Sequence, residues 1–526
     1  MIVKMEAFMK KLSSVALMLS LIVIGLFTVN ISPAYTAESL NMELVGTNDL
    51  QARSTYQPIV QRQGNRWILY GGHHALGTNP VTGAALPSFN PLTGRNEPNG
   101  TSIVDVTNPA APVYLFHLPV GTTGNGGSQM NRVCPGASLP IKNTKFYLLR
   151  SYANSAHEVW DVTNPASPQP VRTVAGGNPV IGAATGAAGA LAGTHKSWWE
   201  CESGIAYIVG RRGNDTADGW GDGNHIFVFD LSDPANPKFL RDWALDGQQP
   251  GGVIPPHFTE VPSIHGPIST GVQGNRIYFA YGTGSNGVMQ IVDRKKLLPP
   301  PLGTGVACGS IASTLTPTPC TDFTTAEVGR WIMNPINGAH TSFPLGTFSI
   351  PDWAPNQEGV ERSFVAVVSE ETDNECTGPR HLTYFVDVTD EGRPQSQSNF
   401  QVLASSSPFN FCERGGRFGP HSTNENFGAP FYQKIVFIAY FAAGVRAVDY
   451  RDPFRPQEVG FYIPDATANT DLRCATINGV MDCPPSIQTN NVDTDERGYI
   501  YIVDRANTGA HILQLTGAAR SILQDQ

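Results

Sequence analysis

A short apolar string that ends in an aspartate recurs along this chain, and it restricts the folds that the chain can adopt. In the clearest copies, Asn-Pro or Asp-Pro begins three residues after the aspartate, so the strand is predicted to end in a tight turn tied down by the carboxylate. The clearest copies are Ser102-Ile-Val-Asp-Val-Thr-Asn-Pro109, Glu158-Val-Trp-Asp-Val-Thr-Asn-Pro165 and Phe227-Val-Phe-Asp-Leu-Ser-Asp-Pro234. Weaker copies are Met289-Gln-Ile-Val-Asp293, Tyr384-Phe-Val-Asp-Val-Thr389, Val445-Arg-Ala-Val-Asp449 and His511-Ile-Leu-Gln-Leu515. Such repetition indicates an array of similar units.

A second apolar string precedes each copy and is predicted to be a strand as well. These strings cover 67–70, 146–149, 206–209, 277–280, 364–368, 436–439 and 499–503. Each unit therefore has two well-defined middle strands, with one plausible strand before them and one after. Seven units of four strands predict an all-β, seven-bladed β-propeller, in which closure of the ring protects the strand edges. The alternative, two separate β-sandwiches, is disfavoured because no linker interrupts the repeat.

The composition agrees with a fold made of short strands and many turns. Only 15% of the 526 residues are charged, whereas Gly (54) and Pro (41) are plentiful, which disfavours long amphipathic helices. Four long insertions, at 75–100, 174–193, 299–334 and 404–419, are predicted to be functional loops. The His73-His74 pair just before the first insertion could reach the channel mouth, although a surface turn is the favoured interpretation.

The first residues have the pattern of an export signal. Lys4, Lys10 and Lys11 precede an uncharged, mostly apolar run over 12–29, and small residues follow over 32–37. This predicts a signal peptide over residues 1–37 and a single β-propeller domain over 38–526. A retained membrane anchor is the alternative, because the apolar run is long. Contact with a membrane would then run only through the uncleaved signal.

All eight cysteines follow this segment, and none of them forms C-x-x-C. An even number of cysteines in an exported chain predicts disulfide bonds, and hence a secreted, periplasmic or cell-surface protein. Of the many possible connectivities, the spacing suggests Cys134–Cys201, Cys308–Cys320, Cys376–Cys412 and Cys474–Cys483.

The repeated strings also suggest a family. IVDVTNP, VWDVTNP and FVFDLSDP resemble the LVIVD repeat family of exported bacterial propellers, and the resemblance covers most of the chain after about residue 55. Blades of about 70 residues exceed the ~40–45 residues of WD40-type blades. Because members of the LVIVD family are mostly uncharacterised, the resemblance implies a fold and export but little about activity.

Four histidines occupy equivalent positions in consecutive units. His195, His265, His340 and His421 lie at intervals of 70, 75 and 81 residues, before the first well-defined strand of each unit and on its predicted innermost strand. The first strand of a propeller blade lines the central channel, so the four imidazoles are predicted to converge on one axis. Gln488 stands at the corresponding position of the seventh unit.

Neutral imidazole is the commonest metal ligand in proteins. A histidine set without thiolates suits a mononuclear Fe or Cu centre better than structural zinc. The arrangement is similar to the four-histidine iron of carotenoid cleavage oxygenases and, loosely, to the histidine-lined selenium-binding proteins, although no sequence match accompanies it. The alternative is that one ancestral channel histidine was copied with the repeat and contacts only water.

Carboxylates near these histidines are candidates for catalysis or for orienting the ligands. Glu370 and Glu371 follow the predicted strand of the fifth unit, and Glu200 and Glu202 lie close to His195 in sequence. A metal-bound histidine usually donates its other N–H to a carboxylate or a carbonyl. We therefore expect Glu370 or Glu371 to act on the histidines in this way.

Two functional hypotheses follow from these features. The first is an exported metal-dependent oxidoreductase that acts on a small-molecule substrate. The second is a non-enzymatic binding or scaffold propeller of LVIVD-repeat type, whose loops recognise a surface protein. A lactonase-like hydrolase would need a carboxylate-rich channel, whereas the predicted channel positions are His and Gln. The net charge of −9 argues against nucleic acid as a partner.

Overall fold

The computed structural model describes residues 37–524 except 80, 84–85, 87, 122–126, 179–181, 184–190, 213–219, 222, 255–263, 270–273, 306–322, 350–360, 405–409 and 478. Seven antiparallel sheets of four or five strands make up almost all of its regular structure. This confirms the predicted all-β, seven-bladed β-propeller. The blades belong to one compact unit, Thr36–Gln526. The predicted signal peptide lies, except for its last residue, outside the described residues.

The first four blades contain the following strands, from the channel outward. Blade 1 contains Thr55–Gln63, Arg66–His73, Gly100–Asp105 and Val113–Pro119. Blade 2 contains Asn131–Pro135, Phe146–Tyr152, Ala156–Asp161, Gln169–Asn178 and the short Gly182–Ala183. Blade 3 contains Ser197–Trp199, Ile205–Arg212, His225–Asp230 and Lys238–Trp243, with Leu191–Ala192 added beside the second strand. Blade 4 contains Ile264–Ser269, Arg276–Tyr281, Val288–Asp293 and Glu327–Ile332.

The remaining three blades follow the same order. Blade 5 contains Thr341–Ser349, Glu361–Val368, Thr383–Asp387 and Gln395–Phe400. Blade 6 contains Ser422–Thr423, Ile435–Ala439, Val445–Asp449, Gln457–Ile463 and Glu38–Leu40. Blade 7 contains Thr489–Thr494, Tyr499–Asp504, Ala510–Leu515 and Met42–Asn48. The described helices and small hairpins are Leu50–Ala52, Arg294–Leu297, Phe411–Glu413, Gly517–Ser521, Phe89–Asn90 with Arg95–Asn96, and Ala475–Ile477 with Val480–Asp482.

Two strands from the start of the described chain complete the last two blades. Met42–Asn48 pairs with Ala510–Leu515, so residues from both ends of the chain share blade 7. Glu38–Leu40 adds a fifth strand to blade 6. The sequence analysis placed the repeat after about residue 55 and did not predict these strands, because neither carries the aspartate turn.

The repeated aspartate anchors its turn as predicted. In five blades its Oδ1 accepts a hydrogen bond, at 2.9–3.0 Å, from the backbone N–H two residues later. The five residues are Asp105, Asp161, Asp230, Asp387 and Asp449. The carboxylate therefore satisfies a backbone donor where the chain leaves the third strand.

Apolar side chains of neighbouring blades pack against each other around the ring. Between blades 1 and 2, for example, Ile68 and Tyr70 contact a cluster that includes Leu148 and Trp160, and all four are buried. Such interfaces recur between the other blades. Burial of this kind is the main stabilising contribution in a fold of short strands.

Three of the four predicted disulfides are present in the described part of the chain. They are Cys134–Cys201, Cys376–Cys412 and Cys474–Cys483. The predicted Cys308–Cys320 pair lies outside the described residues. The three bonds are compatible with an extracellular protein. In the part of the chain that is described, no helix is both long and apolar enough to span a bilayer.

Candidate metal centre

The antiparallel pairing of the first two strands in each blade determines which residues meet at the channel. The start of the first strand lies beside the loop that follows the second strand. In blade 5 this brings His340 next to Glu370. In blade 4 it brings His265 next to Thr283.

The structure brings the four predicted histidines together. Their ring centroids are 4.6 Å apart for His195 and His265, 3.9 Å for His265 and His340, and 4.2 Å for His340 and His421. His340 and His421 are buried, and the other two are partly exposed. Four consecutive blades therefore direct their imidazoles to one place, as the spacing predicts.

Tyr56 of blade 1 completes this cluster, and the sequence analysis missed it. Its hydroxyl lies 3.2, 3.4 and 3.0 Å from Nε2 of His195, His265 and His340. Tyr56 and His265 are both extra residues in a β-bulge, which turns a side chain away from its regular direction. The sequence did contain a signal for Tyr56, because Tyr56-Gln-Pro58 in blade 1 occupies the place that His265-Gly-Pro267 occupies in blade 4.

One pair of nitrogen atoms has the separation expected of two ligands to a single ion. His195 Nε2 and His265 Nε2 are 3.1 Å apart, and two nitrogens at about 2.0–2.1 Å from one tetrahedral ion would be about 3.3 Å apart. Ligand atoms of His265, His340 and Glu370 all lie within 4.8 Å of one another. This three-residue group is the one that the described residues offer as a compact metal site.

The Nδ1 atoms of three histidines are held by other polar groups. The contacts are His265 Nδ1 to Thr283 Oγ1 at 3.2 Å, His340 Nδ1 to Thr341 Oγ1 at 3.0 Å, and His421 Nδ1 to Asn490 O at 2.6 Å. Since a carbonyl only accepts, His421 carries its proton on Nδ1, and its Nε2 lone pair is free to bind a cation.

Glu370 has a different position from the one predicted for an orienting carboxylate. Its Oε2 and Oε1 lie 3.7 Å from His340 Nε2 and 3.6 Å from His421 Nε2. It therefore faces the ligand atoms, and hydroxyl and carbonyl groups orient the imidazoles instead. The prediction that Glu370 accepts the N–H opposite the ligand nitrogen of a histidine has no matching contact among the described residues. The carboxylate lies on the same side of the imidazoles as their Nε2 atoms.

Burial determines the protonation of the cluster. It lowers the pKa of His195 to about 3, assisted by the charge of Lys196. Burial likewise holds the pKa of His265, His340 and His421 well below the usual range. The imidazoles are therefore neutral at physiological pH, the form in which histidine binds metals.

The other acidic candidates lie away from the cluster. Glu371 accepts a hydrogen bond from the Asp373 backbone at 2.9 Å, and burial raises the pKa of Glu371 to about 7. Glu200 forms an ion pair with Arg294 at 2.7 Å. Glu202 is exposed. None of these contacts connects the three acids to the histidines, so the predicted catalytic role of Glu371 gains no geometric support.

The His73-His74 pair is not in a surface turn. His73 is buried, and its Nε2 lies 2.6 Å from Ser102 Oγ within blade 1. His74 packs edge-on against Tyr56 with ring centroids 5.2 Å apart. A surface turn is therefore wrong for the buried His73, and His74 lies beside Tyr56 of the cluster. Gln488 accepts a hydrogen bond from Arg417 N at 2.9 Å and lines the same cavity as His74.

Charged side chains form a second buried layer next to the histidines. Glu425 is paired with Arg132, and its other oxygen lies 3.5 Å from Lys196 Nζ. Lys196 also donates to Thr341 Oγ1 at 2.9 Å. Burial alone would raise the pKa of Glu425, but the two cations outweigh it and lower that pKa.

Comparisons with known proteins assign no role to the residues of this cluster. No protein-family model matches the chain, and no curated protein sequence matches it. Saccharomyces cerevisiae Sqt1 is a similar solved structure, with 8% identity, 91% of this chain and 99% of that chain covered, and a TM-score of 0.41. The Dos1 propeller has 10% identity, coverage of 91% and 96%, and a TM-score of 0.41. The Cps50 (Swd1) β-propeller domain of Myceliophteria thermophila has 9% identity, coverage of 73% and 96%, and a TM-score of 0.32. Similarities this weak carry no information about function.

Proposed function

We propose that this chain is an exported metal-binding propeller and acts as a metal-dependent oxidoreductase. His265, His340 and Glu370 would hold one Fe or Cu ion, with His195 and His421 completing the ligand set. Such an ion supplies redox and Lewis-acid chemistry at any position that the protein leaves open.

The observation that carries the proposal is the common direction of the Nε2 atoms. Each imidazole is neutral, and three of the four rings are held by a polar contact to Nδ1. The protein supplies fewer hydrogen-bond donors than there are Nε2 lone pairs. Such an excess of lone pairs is typical of a cation site. A duplicated channel histidine without a ligand would not require the rings to be oriented in this way.

Tyr56 and Glu370 are the groups best placed to assist chemistry there. The Tyr56 hydroxyl reaches three Nε2 atoms and can offer either an oxygen or a proton. Burial raises the pKa of Glu370 despite the nearby Arg417 and Arg505, so this carboxyl group can hold a proton nearer to neutral pH than an exposed one.

Elemental analysis of untagged, full-length protein tests the proposal. We expect close to one equivalent of Fe or Cu in the wild type and its loss in His265→Ala. His511→Ala is the matched control, because His511 is a mostly enclosed histidine on a strand of blade 7, outside the cluster. Wild-type protein without metal after anaerobic reconstitution would contradict the proposal and leave a binding propeller. Equal metal in His265→Ala would contradict it too.

A further inference from the structure

A cavity of about 280 Å³ lies next to the candidate metal centre. His74, Arg417, Arg473 and Arg505 are among its lining residues. His74 packs against Tyr56, and Arg417 donates to Glu370 Oε1 at 2.7 Å. His74 and Arg417 therefore connect the wall of the cavity to Tyr56 and Glu370 of the candidate centre, and the volume of the cavity is at the small end for ligand sites.

The lining of this cavity is basic, although the chain as a whole has a net charge of −9. The acidic group in its lining is Asp471, which lies 3.1 Å from Arg473 Nη2. Arg417 lies 2.7 Å from Glu370 Oε1, and Arg505 Nη1 lies 3.8 Å from the same oxygen, so these two arginines share one carboxylate. Three guanidinium groups are thus held together with incomplete compensation, which favours an anion.

Individual donors remain available in this cavity. Arg473 Nε is buried and has no hydrogen-bond partner among the described residues. Arg505 Nη2 contacts His74 Nε2 at 2.7 Å, but its Nη1 is 3.8 Å from Glu370. Buried donors without partners are rare in folded proteins and mark a place for a ligand or water.

Phe441 holds two of the guanidinium groups in place. Arg417 and Arg505 lie over its ring at 5.5 and 5.6 Å from the centroid. Stacking on an aromatic ring fixes the planar fork of arginine. A fixed fork suits two-point binding of a carboxylate.

Building on the proposed function, we propose that this cavity binds the carboxylate of a small organic acid, which is the substrate of the metal centre. Glu370 and Asp471 are the carboxylates in ion pairs with these three arginines, so the five paired groups carry a single positive charge when both acids are ionised. That charge matches a carboxylate better than a phosphate group, which carries about −1.5 to −2. Arg473 and Arg505 would bind the carboxylate and direct the rest of the molecule towards the histidines.

Calorimetric binding of benzoate and of its neutral analogue benzamide to the full chain tests the proposal. We expect benzoate to bind at least about tenfold more tightly than benzamide, and Arg473→Gln to remove about tenfold of that affinity. Asp471→Asn should tighten benzoate binding, which gives a second variant if Arg473→Gln does not fold. Arg455→Gln, an exposed arginine of blade 6, is the matched control and should bind benzoate like the wild type.

Equal affinity for benzoate and benzamide, or unchanged binding in Arg473→Gln, would overturn the proposal. Inorganic phosphate binding more tightly than benzoate would also overturn it. Each titration is run on metal-free and metal-loaded protein, with metal content measured for every variant. Benzoate binding by a protein that takes up no metal would reject the metal centre and retain the anion site. Metal uptake by a protein that does not bind benzoate would reject the anion site alone.

Discussion

The channel contains two adjacent buried polar layers that are balanced in different ways. In the charged layer, Glu425 meets Arg132 and Lys196, so the protein supplies both signs of charge. In the histidine layer, neutral imidazoles meet each other and the Tyr56 hydroxyl. The first layer contains its own counter-charges, whereas the second gathers lone pairs around a point where the protein places no cation. The comparison separates a charge-paired network from the site that we propose binds a metal ion.

The two layers are close because they come from the same strands. His195 precedes Lys196, and His340 precedes Thr341, which accepts from Lys196. Gly266, next to His265, leaves room for the lysine, since a Cβ there would lie 2.8 Å from Lys196 Cδ. A substitution in one layer can therefore be compared with a substitution in the other layer at a similar distance from solvent.

The largest expected effect is loss of stability when the charged layer loses its anion. Glu425→Gln leaves Arg132 and Lys196 buried without a counter-charge, which costs about 3–5 kcal/mol. Urea unfolding measures the change in the free energy of unfolding. Glu496→Gln is the control, because Glu496 is half exposed and 3.9 Å from Arg62, and such a pair contributes less than about 1 kcal/mol. Equal losses in both variants would show that the charged layer does not act as a buried network.

The next effect concerns pH and Asp493, which is buried and accepts a hydrogen bond from Val60 N at 2.6 Å. Burial raises the pKa of Asp493 to about 7. The folded protein therefore binds this proton more tightly than the unfolded chain, and the contribution to stability falls as pH rises from about 4 to 7 and is constant above 7.

Replacement of Asp493 by Asn removes this titration. Relative to Asp493→Asn, the wild type should lose about 1.4 kcal/mol per pH unit across that window. Urea unfolding of both proteins at several pH values between 4.5 and 8 measures the difference. A difference in unfolding free energy that stays constant with pH would contradict the assigned titration.

The smallest expected effect is on metal affinity and tests how the histidine layer is oriented. Thr283→Val removes the hydroxyl that holds His265 Nδ1. Loss of such a partner weakens metal binding by about 10–100-fold, and it should leave the unfolding of the metal-free protein almost unchanged. Thr283→Ser retains the hydroxyl and is the control. Competition with a chelator measures the metal affinity of both variants. Equal affinities in Thr283→Val and Thr283→Ser would show that the Thr283 hydroxyl does not orient His265.

Local patterns allowed the fold to be predicted. Each aspartate turn is a contact between residues close in sequence, as at Asp105 and Thr107, so it repeats wherever the string repeats. The channel histidines were predictable for the same reason. The closure of the ring by Met42–Asn48 could not be predicted. An outer strand is determined by its pairing with a segment far away in sequence, so it carries no local signal.

The remainder of the candidate site depends on contacts between blades. Tyr56 meets His195 and His340 across 139 and 284 residues of sequence, and a tyrosine does not match a search for histidines. Arg417, Arg473 and Arg505 come from separate loops, so nothing in sequence marks them as one basic surface. Glu370 was identified by its position after a strand, but which face of the imidazoles it meets depends on packing.

Anomalous diffraction from crystals of the full-length protein soaked with Fe(II) or Cu(II) tests the central claim most directly. The account predicts one strong peak about 2.1 Å from Nε2 of both His265 and His340, which disappears in His265→Ala. A peak elsewhere in the molecule, or no peak at either metal edge, would contradict the assignment of the histidine layer as a metal centre.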